Sequence, residues 1–435
     1  MIFTILKDKQ VTLLLIINDY KIIYIHINMK KQLFIPSLLV LLTSFTYTMN
    51  AQVVSQTVTI NPGYTHQVYY SLPNCAFPAV DNTNWDIGFQ LRGFAASITI
   101  NSKNNVHLYR SMKSVADWST MVTADTTGVI NAGYELHNSD TTWNQGAFNN
   151  TNDSTNQFYL GWGVYDFITH GVTGDSVYFI KLSNGNFKKF WIESLTSGVY
   201  YFRWADLDGT NETLASLTKS LYAGKYFAYF SIQNNVAIDR EPIYNAWDMV
   251  FTQYLSLTPY IYKVAGVLTN DSVFATKAYP VNVNTVSPSG YPLSSKINTI
   301  GYDWKSYDFG TNTWTIEDST VYFVQDHNAG LWKVIFTGFG GSANGVYNFT
   351  KEFLGTTGVS EQSVNPILSI YPNPTNGDVN LVVARQQKGK EAVITINNTM
   401  GQVLKSIDVP LSNELNNIYI DLNNLSQGIY FLIIN

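Results

Sequence analysis

The clearest pattern along the chain is an alternation of apolar and polar residues in two segments, 84–89 and 246–251. Successive side chains of a β-strand point to opposite faces, so Trp85, Ile87 and Phe89 share one face of a predicted strand. The second segment repeats this pattern with Trp, Met and Phe at the matching positions. Both segments therefore predict strands with one aromatic face.

An aspartate follows the tryptophan in each segment, Asp86 in the first and Asp248 in the second. One interpretation is an aromatic ligand platform with a carboxylate beside it. The other is a core strand whose aspartate caps or pairs at the opposite face. The same residue in both segments favours packing.

These segments belong to an internal duplication between residues 53 and 356. Each block is a short aromatic run bounded by Gly, Asn, Asp or Pro, which is typical of a strand between turns. The matching blocks occur in the same order: 68–74 with 228–234, 84–89 with 246–251, 161–167 with 303–309, 177–180 with 321–324, and 198–202 with 345–349. The duplication predicts two related all-β domains, at 52–222 and 223–356.

A change of composition at 357–365 indicates a linker, and residues 366–435 again show alternating runs separated by turn residues. This pattern predicts a small Ig-like β-sandwich. Its strands are expected at 367–371, 379–383, 392–397, 418–422 and 428–434.

The N-terminal region has the pattern of an export signal. Lys30 and Lys31 precede an apolar stretch too short to span a bilayer, and Ala51 suits a cleavage point before Gln52. We therefore expect a signal peptide at 29–51 that directs export to the periplasm, with residues 1–28 as an over-extended start. No later segment has 18 uncharged apolar residues, which predicts a soluble or surface-attached mature protein.

Composition narrows the function classes. The 435 residues carry 26 Lys and Arg against 31 Asp and Glu, so no basic surface is expected for nucleic acid. The single cysteine, Cys75, excludes an internal disulfide framework and a thiolate-rich zinc site.

The C-terminal segment resembles the type A C-terminal sorting domain of the type IX secretion system of Bacteroidetes. The resemblance rests on segments 369–377, 400–404 and 425–431, and above all on a sorting motif that comprises Tyr371, Pro372, Asn373, Pro374, Asn376 and Gly377. It implies a secreted or outer-surface protein whose partner is the type IX machinery. Members of that family usually continue beyond the last strand, so the domain looks truncated at Asn435.

The duplicated unit resembles the HmuY-like family of secreted haem-binding proteins. The resemblance is best in the first repeat, in segments 57–60, 69–72, 84–87, 167–171, 177–181 and 198–202. It implies a twisted, open β-sheet with a loop region that grips the ligand, and haem as the candidate cofactor.

Haem iron takes two axial ligands, which are neutral imidazoles or an imidazole and a thioether. His137 and His170 have the spacing that the family resemblance implies, and Met112 and Met121 are the alternatives. The other interpretation is that both histidines are loop residues that coordinate nothing. The second repeat has no counterpart, because its histidine, His327, follows a predicted strand.

A turn rich in Asp and Gly is a weak calcium candidate. Asp206, Asp208 and Glu212 supply hard oxygen atoms, but their spacing is shorter than in an EF-hand. Solvated turns of this composition are also common.

The sequence thus predicts a secreted, non-enzymatic β-protein that binds a small hydrophobic ligand, with haem as the candidate. The alternative is a surface adhesion or interaction scaffold without haem. An enzyme, such as a glycan hydrolase, is the least supported class because no catalytic carboxylate pair stands out.

Overall fold

The computed structural model describes residues 3–7, 10–16, 22–28, 52–152, 155–156, 158–356, 367–371, 375, 377–384, 391–398, 402–410, 415–426, 428 and 430–434. The chain forms two compact units, 1–51 and 52–435. The first unit contains an antiparallel sheet of three strands: β1 Phe3–Lys7, β2 Gln10–Ile16 and β3 Ile22–Asn28. The predicted signal peptide at 29–51 lies outside the described residues.

Strands dominate the second unit, as the short aromatic runs predict. Up to residue 356 they are β4 Val54–Thr59, β5 His66–Ser71, β6 Cys75–Ala76, β7 Val80–Asp81, β8 Ile87–Gln90, β9 Ile98–Ile100, β10 His107–Ser114, β11 Glu135–Leu136, β12 Gly163–Asp166, β13 Gly171–Gly174, β14 Ser176–Lys181, β15 Phe187–Thr196, β16 Val199–Asp206, β17 Thr213–Thr218, β18 Phe227–Ser231, β19 Val236–Ile238, β20 Met249–Ser256, β21 Tyr262–Thr269, β22 Phe274–Ala278, β23 Lys305–Asp308, β24 Thr313–Ile316, β25 Val321–Gln325, β26 Gly330–Phe339 and β27 Val346–Thr356.

Helical structure is confined to single turns in the described part of the chain. The one α-helix there, α1, is Gly341–Asn344, and the 3₁₀ turns are Pro62–Tyr64, Ser102–Asn104, Val115–Asp117, Thr123–Thr126, Ala132–Tyr134, Ala147–Asn149, Lys219–Tyr222 and Tyr244–Ala246. No described helix has both the length and the apolar character needed to span a bilayer. The predicted all-β class is confirmed.

Four sheets enclose two hydrophobic cores. Sheet I has the order β11-β10-β14-β15-β13-β12, with β16 beside β15 and β17 beside β16; sheet II is β19-β18-β8-β9. Their facing side chains, among them Phe89, Phe190 and Phe230, form the first core. Sheet III is β21-β20-β5-β6, with β7 also on β5, and sheet IV is β22-β25-β26-β27-β4. Their facing side chains form the second core.

Strand pairing crosses between the two repeats. In sheet II, β8 of the first repeat pairs with β18 of the second, through Phe89 and Ala228. In sheet III, β5 of the first repeat pairs with β20 of the second, through Tyr69 and Val250. Strand β4 likewise completes sheet IV beside β27. The pairing therefore crosses the boundary predicted at residue 222, and each core contains side chains from both repeats.

Equivalent hydrogen bonds hold the two exchanged strands. The carboxylate of Asp86 accepts the backbone N–H of Ile232 at 2.7 Å and that of Gln233 at 3.2 Å. The carboxylate of Asp248 accepts the N–H of Leu72 at 2.6 Å. Both aspartates are buried, so these bonds lie in a medium of low dielectric constant. The structure thus supports the packing interpretation of both aspartates.

The C-terminal residues form a separate small sandwich core. Its strands are β28 Ile367–Tyr371, β29 Asp378–Ala384, β30 Glu391–Asn398, β31 Val403–Pro410, β32 Leu415–Asp421 and β33 Tyr430–Ile434. They form two sheets, β28-β29-β32 and β31-β30-β33, around Leu381, Ile394 and Ile420. Five strands lie close to the expected positions, whereas the sequence interpretation missed β31.

We predict that Asp86→Ala and Asp248→Ala each lower the free energy of unfolding by about 2–3 kcal/mol. Each substitution leaves at least one buried N–H group of the other repeat without an acceptor. Asp239→Ala is the matched control, because Asp239 is exposed and its ion pair with Lys225 lies at the surface. Denaturant unfolding measures all three changes. Equal losses in the control and in either buried variant would contradict the proposed role.

Candidate functional site

The two repeats meet at a pair of equivalent tyrosines. The ring of Tyr229 packs edge-on against that of Trp85, with ring centroids 4.8 Å apart. The ring of Tyr69 packs in the same way against Trp247, with centroids 4.9 Å apart. The two tyrosine hydroxyls lie 3.5 Å apart. These contacts are reciprocal, as at a two-fold interface. They follow from the strand exchange, which brings each tyrosine strand beside the tryptophan of the other repeat.

A cavity of about 110 Å³, partly open to solvent, lies at this junction. Its wall is rich in aromatic side chains from both repeats: Tyr69, Trp85, Trp143, Tyr226, Phe227, Tyr229, Trp247 and Tyr254. Its polar lining includes Gln67, Asn82, Asn101, Lys103, Asn138, Asp140, Gln145, Glu241, Thr252 and Gln253. A concave, mostly apolar surface with a few polar groups is the usual form of a small-molecule site.

One wall of the cavity is a strap, which we define as residues 138–146 of the first repeat. The indole N–H of Trp143 donates to the carbonyl oxygen of Thr269 at 2.9 Å. The carboxylate of Asp140 accepts the N–H of Leu257 at 3.1 Å. The N–H of Ile297 donates to the carbonyl oxygen of Thr141 at 3.1 Å. The strap is therefore fixed to strands and loops of the second repeat.

Buried hydrogen bonds fix the inner end of the cavity. The amide of Gln67 donates to the hydroxyl of Tyr69 at 2.8 Å, and the indole N–H of Trp85 donates to Asn82 Oδ1 at 2.7 Å. Glu241 accepts the N–H of Phe227 at 2.8 Å and lies 3.5 Å from the hydroxyl of Tyr229. The inner wall is thus preorganised by contacts among its own residues.

The charge of this inner wall depends on Glu241. Burial raises the pKa of Glu241 to about 8, although the N–H of Phe227 and the charge of Arg240 act in the opposite direction. The carboxyl group is therefore protonated at neutral pH. Burial also lowers the pKa of Lys103 at the cavity wall.

We predict that Glu241 makes stability fall as pH rises from about 4.5 to about 8. Below pH 4.5 the carboxyl is protonated in both the folded and the unfolded chain, so the full contribution of Glu241 to the free energy of unfolding is present. Above it the unfolded chain releases the proton, while the folded chain holds it up to about pH 8. The loss is up to about 1.4 kcal/mol per pH unit.

Glu241→Gln places a neutral amide at this position. It should remove the part of the fall in unfolding free energy with pH that Glu241 causes. Glu317→Gln, outside the cavity wall, serves as the control and should keep it. Urea unfolding at several pH values between 4.5 and 8 measures the slopes. A slope in Glu241→Gln identical to that of the natural protein would refute the assignment.

The structure places the two proposed haem histidines far apart. His170 precedes Gly171 at the start of β13, whereas His137 follows Leu136, which pairs through Leu108 with Ile180 on β14. Strands β13 and β14 follow one another along the same edge of β15. At about 3.3 Å per residue, the stretch from Gly171 to Ile180 puts roughly 30 Å between the histidines.

Neither histidine has the surroundings of an axial ligand. His170 is exposed, and its Nδ1 lies 2.8 Å from the hydroxyl of Tyr165. His137 is half-buried beside Glu135, and burial lowers its pKa. Two axial ligands must meet at one iron atom, so this arrangement does not fit haem bound between His137 and His170.

The two alternative methionines lie in different surroundings. Met112 is 73% exposed on β10, and Met121 is 2% exposed in a cluster with Trp118. His327 holds the second repeat together instead, because its Nε2 lies 2.8 Å from the carbonyl oxygen of Trp247.

The three candidate calcium ligands have separate partners. Asp206 pairs with Lys188, and Asp208 accepts the hydroxyl and the N–H of Thr210. Glu212 accepts the indole N–H of Trp118 at 2.8 Å. Within the described residues no group of three or more His, Cys, Asp or Glu side chains is arranged to hold a metal ion. The carboxylates do not converge on a calcium site.

The sorting motif connects two strands of the C-terminal sandwich. Tyr371 ends β28, and Gly377 directly precedes β29. Residues 372–374 and Asn376 of the motif lie outside the described residues.

Sequence reasoning missed most of the cavity wall. The repeat alignment contained a signal for its centre, since tyrosines and tryptophans recur at matching positions. Trp143 belongs to the strap, for which the repeat alignment provides no matching block, and Glu241 follows directly after Asp239 and Arg240. Neither the recurring aromatic residues nor the positions of Trp143 and Glu241 indicate which strand or loop will face them in the folded chain.

Residues 369–435 match the family model of a secretion system C-terminal sorting domain. Searches of curated proteins and of solved structures find no match to the chain. The sorting domain indicates a secreted or cell-surface protein that interacts with the type IX secretion machinery.

Proposed function

We propose that this protein is a secreted, non-enzymatic binding protein whose ligand site is the cavity between the two repeats. The observation that carries the proposal is the composition of the wall, which combines aromatic side chains of both repeats with the strap. Sites for small molecules commonly have this mixture of apolar walls and a few polar groups.

The polar groups of the wall support binding rather than catalysis. Two carboxyl groups line it, Asp140 and Glu241, and each accepts a backbone N–H. A catalytic acid or base has to reach the reacting atoms of its substrate. These two groups hold the strap and a strand end in place.

An adhesion module is the second candidate, and exposed aromatic side chains favour it. Phe167 and Phe309 occupy equivalent hairpins of the two repeats and are 68% and 85% exposed. Asp166 and Asp308 support the two turns by accepting backbone N–H groups that follow. Exposed apolar residues kept in both repeats suit contact with a partner surface.

We predict that the natural protein binds at least one member of a panel of indole, phenol, benzoate, monosaccharides and disaccharides. Trp143→Ala should weaken that binding about tenfold or more, because it removes one aromatic wall and loosens the strap. Calorimetric titration measures affinity, and a rise in melting temperature gives a second readout.

Trp332→Ala is the matched control. Trp332 is also partly buried and also donates its indole N–H, to Asp326 at 2.7 Å, but it does not line the cavity. The control should bind as the natural protein does. Binding of no panel member, or equal losses in both variants, would count against the cavity as the ligand site.

A further inference from the structure

We propose that the cavity receives one terminal residue of a neutral saccharide chain. The inference rests on the proposed function and specifies the ligand class for the same site. It follows from the unpaired polar groups, the aromatic walls, the balance of charge and the size of the cavity.

Several polar groups of the wall are free for a ligand, and in the described part of the chain they include the Ser102 hydroxyl and the Trp247 indole N–H, which are buried without a partner. Lys103, Gln145 and Gln253 line the cavity, and their side chains make no hydrogen bond within the part of the chain that the structure describes. Each amide offers two donors and one acceptor, and the ammonium group offers three donors. Hydroxyl groups both donate and accept, so a ligand with several hydroxyls matches this set.

Two asparagines of the wall are already paired with neighbouring groups. Asn82 bonds to Trp85 and Thr252, and the amide of Asn101 donates to the carbonyl oxygens of residues 82 and 85. These bonds fix the wall before a ligand arrives. Preorganised walls reduce the entropy lost on binding.

The aromatic walls suit a ring with apolar faces. Trp143 and Tyr254 are half-buried beside the cavity, and Trp85 lies at its inner end. Aromatic side chains provide a large apolar contact area, and their faces are negatively polarised. The C–H groups on the faces of a sugar ring can pack against such surfaces while its hydroxyls point toward the amides.

The charges of the wall favour a neutral ligand. Lys103 supplies one positive charge and Asp140 one negative charge, while the protonated Glu241 supplies none at neutral pH. The charges of Lys103 and Asp140 balance, so a charged ligand would add net charge to a partly buried site. A neutral sugar avoids this cost.

The volume limits how much of the ligand enters. A dry engineered cavity of about 150 Å³ accommodates benzene, and a sugar residue is larger than benzene, so about 110 Å³ takes in only part of one sugar ring. The cavity is partly open, so the rest of a chain can remain outside. These dimensions indicate recognition of a chain end rather than of an internal segment.

The test is calorimetric titration of the full chain with maltose, cellobiose, lactose and chitobiose. Indole serves as the non-saccharide probe and glucuronate as the charged one. We expect at least one neutral disaccharide to bind, and Gln253→Ala to weaken it about tenfold through the loss of its hydrogen bonds. The affinity for indole should stay the same in this variant.

Gln56→Ala is the matched control, since Gln56 is a half-buried strand glutamine outside the cavity wall. It should leave saccharide affinity unchanged. Binding of indole without any neutral disaccharide, or tighter binding of glucuronate, would overturn the saccharide assignment while the cavity remains a ligand site. Binding of none of the probes would overturn the proposed function as well.

Discussion

The architecture depends on backbone pairing between strands of different repeats. Each strand that follows a Trp-Asp pair lies beside the tyrosine-bearing strand of the other repeat. Phe230 from the second repeat completes the first core, and Tyr70 from the first repeat completes the second. Neither repeat contains all the strands of one core. The buried aspartates secure this exchange by accepting backbone N–H groups of the opposite repeat.

The candidate site is a consequence of that exchange. It brings equivalent tyrosines into contact and places a tryptophan beside each of them. A fully symmetric junction would present the same wall twice. The strap breaks the symmetry, because residues 138–146 all belong to the first repeat. It gives the cavity a wall of aromatic and polar side chains that the symmetric contacts alone would not produce.

Much of the local structure was predictable from the sequence, because alternation and turn residues act over a few residues. The strands around Phe89 and Phe251 and most strands of the C-terminal sandwich follow from this pattern. The pairing partners of these strands could not be predicted from the sequence. Strands β5 and β18 have nearly equivalent sequences, so either of them fits beside β8 or β20. Register is set by the buried face, which is the same in both repeats.

The site was less predictable than the fold. Trp85 and Trp247 stood out as an aromatic face, yet both precede the strands they were assigned to and line the cavity instead. The family resemblance suggested His137 and His170 as a pair, but extended strands carry them apart. Trp143 reaches the site through a long-range contact that no local pattern encodes.

Cleavage of the chain between the repeats tests the strand exchange most directly. A protease site inserted at Leu221, which is exposed between β17 and β18, allows the chain to be cut without removing any sheet hydrogen bond. After cleavage, size-exclusion chromatography in native buffer should show both fragments eluting together with an unchanged circular dichroism spectrum. Elution as two separate folded fragments would contradict the exchange.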